Sequence, residues 1–130
     1  MSEEFIQEYG GVALVYEDGD GNQEIMLCLR APDMNHFASH WSIPSGYQEK
    51  GETTKETAIR ELKEETMIDI PNCEFVGTLH DTFHIYKYVT ATKITPILDR
   101  EHTAWDYFTK SELPLVIEDE LKKLIKNNIL

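Results

Sequence analysis

The segment 53–66 constrains the fold most, because it carries the clearest helix signals in the chain. Thr53 and Glu56 fit a capping box, in which each side chain accepts a hydrogen bond from the backbone N–H of the other residue. Ala58 and Leu62 lie one turn apart and begin an apolar face. A helix with one apolar face must pack against another element, so we expect this one to cover a sheet.

Short apolar stretches on both sides of the helix predict that sheet. Residues 11–17 are rich in Val, Leu and Tyr, and a dense turn signal at 18–22 separates them from a second strand at 24–30. Further extended segments are expected at 41–47, 73–79, 82–92 and 103–109, and an amphipathic helix at 117–129. Several strands with two separated helices predict an α/β protein with a mixed sheet covered by helices.

The length and the charge restrict the classes of partner. The chain has 130 residues, which suits one domain, and we take 1–130 as a single domain. Its formal net charge is −12, from 24 acidic and 12 basic residues. Such a surface repels nucleic-acid backbones and anionic lipids, which argues against a nucleic-acid duplex or a membrane as partner. An anionic substrate would need metal ions or a local basic patch.

The remaining bulk features indicate a cytoplasmic protein. The acidic start, Met1–Phe5, has no apolar segment and predicts no secretory signal, and the longest apolar run, 12–16, is too short to span a bilayer. Cys28 and Cys73 are far apart in sequence, so we interpret them as reduced, buried thiols, with a disulfide as the minor alternative.

Three carboxylates share one face of the predicted helix. Glu61, Glu64 and Glu65 stand at i, i+3 and i+4, and like charges at such spacings repel by a few tenths of a kcal/mol per pair, roughly. A divalent cation such as Mg²⁺ would turn this repulsion into a net attraction, because it prefers oxygen ligands. The alternative is a solvated acidic face, which is the better interpretation of an arbitrary Glu-rich helix.

The residues around the carboxylates favour the metal site. Residues 46–68 resemble the Nudix hydrolase signature, G-x5-E-x7-R-E-U-x-E-E-x-G-U, where U is aliphatic. Eight specified positions are in register: Gly46, Glu52, Arg60, Glu61, Leu62, Glu64, Glu65 and Ile68. Met67 stands where the family has glycine, and Ser45 replaces a glycine of the family's entry segment. The resemblance implies a Nudix-type α/β/α sandwich around a mixed β-sheet.

The resemblance also implies residue roles. Glu61, Glu64 and Glu65 would be metal ligands that supply or orient the catalytic base, and the main-chain carbonyl of Ser45 would join them. Gly46 would give the loop its shape. The other two charged positions of the signature, Glu52 and Arg60, would form an ion pair that holds the loop on the helix.

Residues outside the signature are weaker candidates. Arg30 ends the second strand, where the family often has an arginine that contacts phosphate, and a surface arginine is an equal alternative. Glu101 lies where the family often has one more acidic ligand or base. Tyr86 is near the position of a tyrosine common in the diadenosine-polyphosphate subgroup, although sheet packing would also explain it. His36 and His40 are spaced as HxxxH but have no helical context, so we interpret them as loop histidines.

Met67 makes the end of the helix informative. The family glycine there usually adopts a left-handed conformation that closes the last turn. A methionine forced into it would cost about 1–2 kcal/mol. We therefore expect either a left-handed residue 67 or a different helix end.

The resemblance implies a Mg²⁺-dependent pyrophosphohydrolase, with Mn²⁺ as a substitute. Its substrate would be a small nucleotide, either a nucleoside diphosphate derivative or a nucleoside triphosphate, and its products a nucleoside monophosphate and the phosphorylated remainder. One alternative function stays open, a non-catalytic Nudix domain that binds a nucleotide as a sensor or protein partner. The oligomeric state is also open, since a homodimer is compatible with the sequence.

Overall fold

The computed structural model describes residues 6–130, so the acidic start at Met1–Phe5 lies outside the described part. The strands are β1 (Tyr9–Glu17), β2 (Gln23–Arg30), β3 (Trp41–Ser42), β4 (Ser45–Tyr47), β5 (Glu74–Leu79), β6 (Phe83–Thr90) and β7 (His102–Phe108). The helices are α1 (Thr54–Thr66) and α2 (Asp119–Leu124), and α2 continues into a π-helical turn, Ile125–Ile129.

Strand β1 lies at the centre of the sheet. The strand order is β3-β2-β1-β6-β5, with β4 paired to β1 and β7 paired to β2. β1 and β6 are parallel, while the other pairs are antiparallel, so the sheet is mixed as predicted. The segment expected to be extended at 41–47 is divided into β3 and β4, because its first part pairs with β2 and its second with β1.

Both faces of β1 are buried, which produces three layers. Val12 and Leu14 pack in one core with Ala58 and Leu62 of α1. The alternate residues of β1 turn the other way and pack in a second core with the C-terminal helix, as a strand's two-residue period requires. That second core includes Ala13, Val15, Leu121, Ile125 and Ile129. The predicted α/β/α sandwich is confirmed.

Helix α1 begins as the sequence predicts. Thr53 Oγ1 accepts the Glu56 N–H at 3.1 Å, and Glu56 Oε1 accepts the Thr53 N–H at 2.8 Å, which completes the capping box. Helix α2 starts two residues later than expected. Glu118 is its N-cap and accepts the Leu121 N–H at 2.8 Å, whereas Ile117 forms an isolated bridge with Trp41.

Two further sequence expectations can be compared with the fold. Cys28 and Cys73 are free and buried, which agrees with reduced thiols. Among residues 6–130, no helix has the length and apolar character needed to cross a bilayer.

Met67 closes α1 in a left-handed conformation, which is the first of the two helix ends that the mismatch with glycine left open. Its φ and ψ are 61° and 17°, and its N–H donates to the Lys63 carbonyl at 2.9 Å. The side chain is 64% exposed and contributes little packing. The backbone at this position therefore stores strain that glycine would relieve.

Met67→Gly should raise the free energy of unfolding by about 1 kcal/mol or less, since relief of the left-handed strain exceeds the entropy that glycine loses on folding. Urea denaturation measures this change. The matched control is Lys63→Gly, an exposed residue of the right-handed helix, which should lose about 1 kcal/mol. Equal losses in the two variants would contradict the strain. Turnover of Met67→Gly should stay within a few-fold of wild type.

Candidate active site

Two glycines allow α1 to lie directly against β1 and β4. Gly46 of β4 pairs with Gly10 of β1, and a Cβ on Gly46 would overlap the carboxylate of Glu61. A Cβ on Gly10 would overlap the Thr54 carbonyl oxygen at the start of the helix. The absence of a side chain at residue 46 therefore fixes where the Glu61 carboxylate lies.

Gly46→Ala should reduce turnover by at least about tenfold, because the Glu61 carboxylate must move and an ångström of misplacement has effects of that order. The fold should persist, since the overlapped atoms end a flexible side chain. Gly19→Ala is the matched control, with no atom within 4 Å of the added Cβ. Steady-state kinetics of both variants decide the question, and full activity of Gly46→Ala would show that the Glu61 position is unimportant.

Arg60 holds the loop before α1 onto the helix. Its Nη2 and Nε lie 2.7 and 3.1 Å from the two carboxylate oxygens of Glu52, and Nη2 also donates to the Tyr47 carbonyl at 2.9 Å. Glu52 accepts a further bond from Thr57 Oγ1 at 2.7 Å. The hydrogen bonds from Arg60, above all, lower the pKa of Glu52 to about 2. The ion pair expected from the sequence is present.

The same guanidinium contacts two of the three helix carboxylates. Arg60 Nη1 lies 2.8 Å from Glu61 Oε1 and 3.2 Å from Glu64 Oε2. Glu61 is largely buried, with 14% of its side chain exposed, whereas 57% of the Glu64 side chain is exposed. These two carboxylates therefore share a counter-charge, which offsets the repulsion between them.

Glu65 has no such counter-charge. The residue is 1% exposed, and neither carboxylate oxygen has a hydrogen-bond partner among the described residues. Burial, followed by the nearby carboxyl groups of Glu61, Glu101 and Asp99, raises the pKa of Glu65 to about 11. A buried carboxylate without a partner is costly, and a bound cation would offset that cost.

The oxygen donors at the end of α1 fit a divalent cation, because such an ion would offset the cost of burying the Glu65 carboxylate. The carboxyl groups of Glu61, Glu101 and Asp99 lie near that of Glu65, and Mg²⁺ prefers oxygen ligands. Across residues 6–130 no three His, Cys, Asp or Glu side chains are already arranged to hold an ion. Two of the helix carboxylates, those of Glu61 and Glu64, instead contact the Arg60 guanidinium.

A buried pair that sequence reasoning missed lies beside Glu65. His102, whose side chain is 0% exposed, has Nδ1 at 3.0 Å from Asp99 Oδ1 and Nε2 at 3.6 Å from Glu65 Oε1. Burial lowers the pKa of His102, and Asp99 opposes that effect. The position of His102 next to Glu101 was the only signal in the sequence, because the distance in space between α1 and residues 99–102 is set by the tertiary fold.

A cavity of about 550 Å³ opens beside Glu61. Ser45, Gly46 and Glu101 line it near the carboxylates, together with Arg30. Aromatic rings line other parts of its wall, namely those of Tyr9, Phe37, Tyr47 and Phe83. The cavity thus combines charged groups suited to phosphate and metal chemistry with flat apolar surfaces.

The two weaker charged candidates, Arg30 and Glu101, both reach this cavity. Arg30 Nε donates to the His36 carbonyl at 2.9 Å, which fixes the side chain at the end of β2. Burial and the neighbouring Asp99 and Glu61 raise the pKa of Glu101, whereas Arg30 lowers it. Arg30 therefore brings a cation near the acidic groups of the cavity wall.

Tyr86 lies elsewhere, contrary to the substrate contact expected from the sequence. It is 8% exposed in the core beneath α1, and its hydroxyl is 2.7 Å from Thr54 Oγ1. The alternation along β6 explains the error, because residue 86 faces α1 while Phe83 faces the cavity. His36 and His40 lie in a non-helical loop, as interpreted, although His36 lines the cavity.

Comparison with known proteins agrees with this architecture. The family model described as NUDIX domain matches residues 9–127. An 8-oxo-dGTP diphosphatase of Proteus vulgaris is 33% identical over 63 residues, which are 48% of this chain and 55% of that relative. The matched region thus spans little more than half of the relative's length.

Solved structures share the fold. A MutT NUDIX hydrolase from Burkholderia pseudomallei has a TM-score of 0.74 at 20% identity, with 95% of this chain and 98% of that chain covered. An Ap4A hydrolase from C. elegans, in a binary complex, has a TM-score of 0.69 at 19% identity, with 92% and 93% covered. The family match over residues 9–127 shows that the chain belongs to the Nudix hydrolase family.

Proposed function

We propose that the protein is a divalent-metal-dependent pyrophosphohydrolase that cleaves a phosphate–phosphate bond in a small nucleotide. The observation that carries the proposal is Glu65, a buried carboxylate without a partner among residues 6–130. It stands one turn from Glu61, which lines the cavity with Arg30. Family membership supports the same reaction class. We also propose that residues 1–130 form one Nudix domain.

The acidic groups would hold the cation and the arginine would bind phosphate. The proposed ligands are Glu61, Glu64, Glu65, the Ser45 carbonyl and Glu101, with Mg²⁺ as the cation and Mn²⁺ as a substitute. When bound, the cation supplies charge neutralisation at the phosphates and makes water a better nucleophile. Because Arg30 is fixed by the His36 carbonyl, it can orient a phosphate group for attack.

The proposed chemistry is substitution at phosphorus by water. A carboxylate of the set accepts the proton of the attacking water. The bond between phosphorus and the bridging oxygen breaks, and the leaving phosphate takes that oxygen with its electron pair. The products are a nucleoside monophosphate and the phosphorylated remainder.

The aromatic part of the cavity supports a nucleotide rather than a bare polyphosphate. The rings of Tyr9 and Tyr47 lie with centroids 4.9 Å apart and are tilted by 39°, and both line the cavity with Phe83. Flat rings at this place can contact a nucleobase while the phosphates lie near Arg30. Nucleoside triphosphates and nucleoside diphosphate derivatives both fit this division of the cavity.

A substrate panel tests the function. Nucleoside triphosphates, dinucleoside polyphosphates and nucleoside diphosphate sugars are incubated with the protein and Mg²⁺, and the products are separated by ion-exchange chromatography. We expect a nucleoside monophosphate from at least one substrate class. Glu120→Gln, an exposed charge-neutralising change in α2, should match the wild type. Nucleotide binding by calorimetry without turnover of any panel member would favour the non-catalytic sensor instead.

A further inference from the structure

Two buried groups face each other at the end of α1 without a hydrogen bond. Glu65 Oε1 and His102 Nε2 are 3.6 Å apart, and the side chains are 2% and 0% exposed. Neither atom has any partner within residues 6–130. A separation of 3.6 Å is too long for a hydrogen bond. Unpartnered buried polar atoms are rare and costly, so this pair favours a group, either a proton or a cation, that bridges the two atoms.

Asp99 determines which nitrogen of the His102 ring is free. Asp99 Oδ1 lies 3.0 Å from Nδ1, and because a carboxylate only accepts, Nδ1 carries the hydrogen. In neutral imidazole Nε2 then bears a lone pair, which is directed towards the Glu65 carboxylate. When the Glu65 carboxyl group is ionised, two electron-pair donors face each other in a buried place, and a cation would satisfy both. Metal-binding histidines have the same arrangement, with one nitrogen held by a carboxylate and the other free.

The backbone holds these three residues together. The Asp99 N–H donates to the Glu65 carbonyl at 3.1 Å, and the Ile97 N–H donates to the Thr66 carbonyl at 2.9 Å. Asp99 Oδ1 also accepts the Glu101 N–H at 3.2 Å, and His102 begins β7 opposite Arg30. Helix α1 is therefore joined to the segment that immediately precedes β7, and the imidazole is held in place.

We propose that His102 Nε2 is a nitrogen ligand of the divalent cation held by Glu65, an inference that rests on the proposed function. Two ligands each about 2.1 Å from one ion lie roughly 3.0–3.4 Å apart for angles between octahedral and tetrahedral. The distance of 3.6 Å between Nε2 and Oε1 is slightly wider, so a small rotation of either side chain would bring both atoms to one ion. Mg²⁺ prefers oxygen ligands more strictly than a transition metal does. The imidazole should therefore strengthen the binding of Mn²⁺ more than that of Mg²⁺, while both cations remain able to occupy the site.

Pulsed electron paramagnetic resonance of the full chain loaded with Mn²⁺ tests the ligand directly. Electron spin-echo modulation from a directly bound ¹⁴N nucleus should appear in the wild type and be lost in His102→Gln. The matched controls are His36→Gln and His80→Gln, since both histidines line the cavity, and each should retain the modulation. By calorimetry, His102→Gln should raise the Kd for Mn²⁺ at least about tenfold and change the Kd for Mg²⁺ less than about threefold.

The outcomes separate the inference from the proposed function. Bound Mn²⁺ without nitrogen modulation in the wild type would overturn the histidine ligand and leave the pyrophosphohydrolase intact, because a proton would then bridge the pair. Failure of the wild type to bind Mn²⁺ or Mg²⁺ would overturn the metal dependence itself. If His102→Gln does not fold, the two control variants still test the ligand. His40 and His84 are hydrogen-bonded to Ala38 and Glu8, so a modulation that persists in both His36→Gln and His80→Gln is assigned to His102. Loss in either control would refute it.

Discussion

Glu65→Gln is expected to be more stable than the wild type in the presence of a chelator. With Mg²⁺ it should turn over substrate at least about a hundredfold more slowly, the scale seen when a group that stabilises transition-state charge is lost. Both effects follow from one observation, the burial of a carboxylate without a partner in the described part of the chain. Glutamine nearly preserves the size and the helix propensity of glutamate, so the fold should persist.

The stability difference should depend on pH with a definite sign. The pKa of Glu65 rises from 4.5 in an ordinary carboxyl to about 11 in the fold. Between these values the folded state binds the extra proton, so the metal-free wild type loses stability as pH rises, by at most about 1.4 kcal/mol per pH unit. Glutamine has no such dependence.

Urea denaturation at pH 6 and pH 9 in chelator measures the difference. We expect the advantage of Glu65→Gln to grow between these two values, and to reverse when Mg²⁺ is added because the wild type gains more from binding. Parallel pH profiles, or unchanged turnover in the variant, would show that Glu65 is not at the site. Glu120→Gln controls for loss of one charge in a protein of net charge −12.

The second large effect concerns removal of the metal. Excess chelator should abolish turnover, and addition of Mg²⁺ or Mn²⁺ beyond the chelator should restore it. The reason is electrostatic, because an anionic substrate that approaches the cavity meets the acidic groups of Asp33, Glu61 and Glu101 in its wall, beside Arg30. Without a divalent cation this repulsion opposes binding and leaves the phosphates without charge neutralisation.

The measurement is the rate of product formation as a function of free metal, followed with the substrate found by the panel. Full activity in excess chelator would exclude the mechanism. The stability of the wild type should rise with the same metal concentration that restores turnover, since binding to the folded state alone stabilises it. Activation without any such shift would place the essential ion elsewhere, for example on the nucleotide.

Sequence reasoning predicted the capping box at Thr53 from local spacing, because helix geometry fixes which residues meet within one segment. The Glu52–Arg60 pair was implied by the resemblance to the family signature, and the left-handed Met67 was one of two helix ends left open. The sheet elements followed from apolar patterns in the same way. These features needed no knowledge of how distant segments pack.

The features that were missed depend on pairing between distant segments. Tyr86 was assigned to substrate because the face of β6 that borders the cavity is set by its register with β1, where Tyr9 lies opposite Phe83. His102 had no signal, because its contact with Glu65 arises only when β7 pairs with β2. Nothing in the local sequence encodes either register.

The hydrogen bonds between residues 97–99 and the end of α1 couple an irregular loop to a regular helix. The last carbonyls of a helix normally lack intrahelical donors, but here those of Glu65 and Thr66 accept the amides of Asp99 and Ile97. These loop amides can exchange their hydrogens with solvent only when the helix end releases them. An irregular segment should therefore show the slow exchange of the helix it caps, and both should open as one cooperative unit.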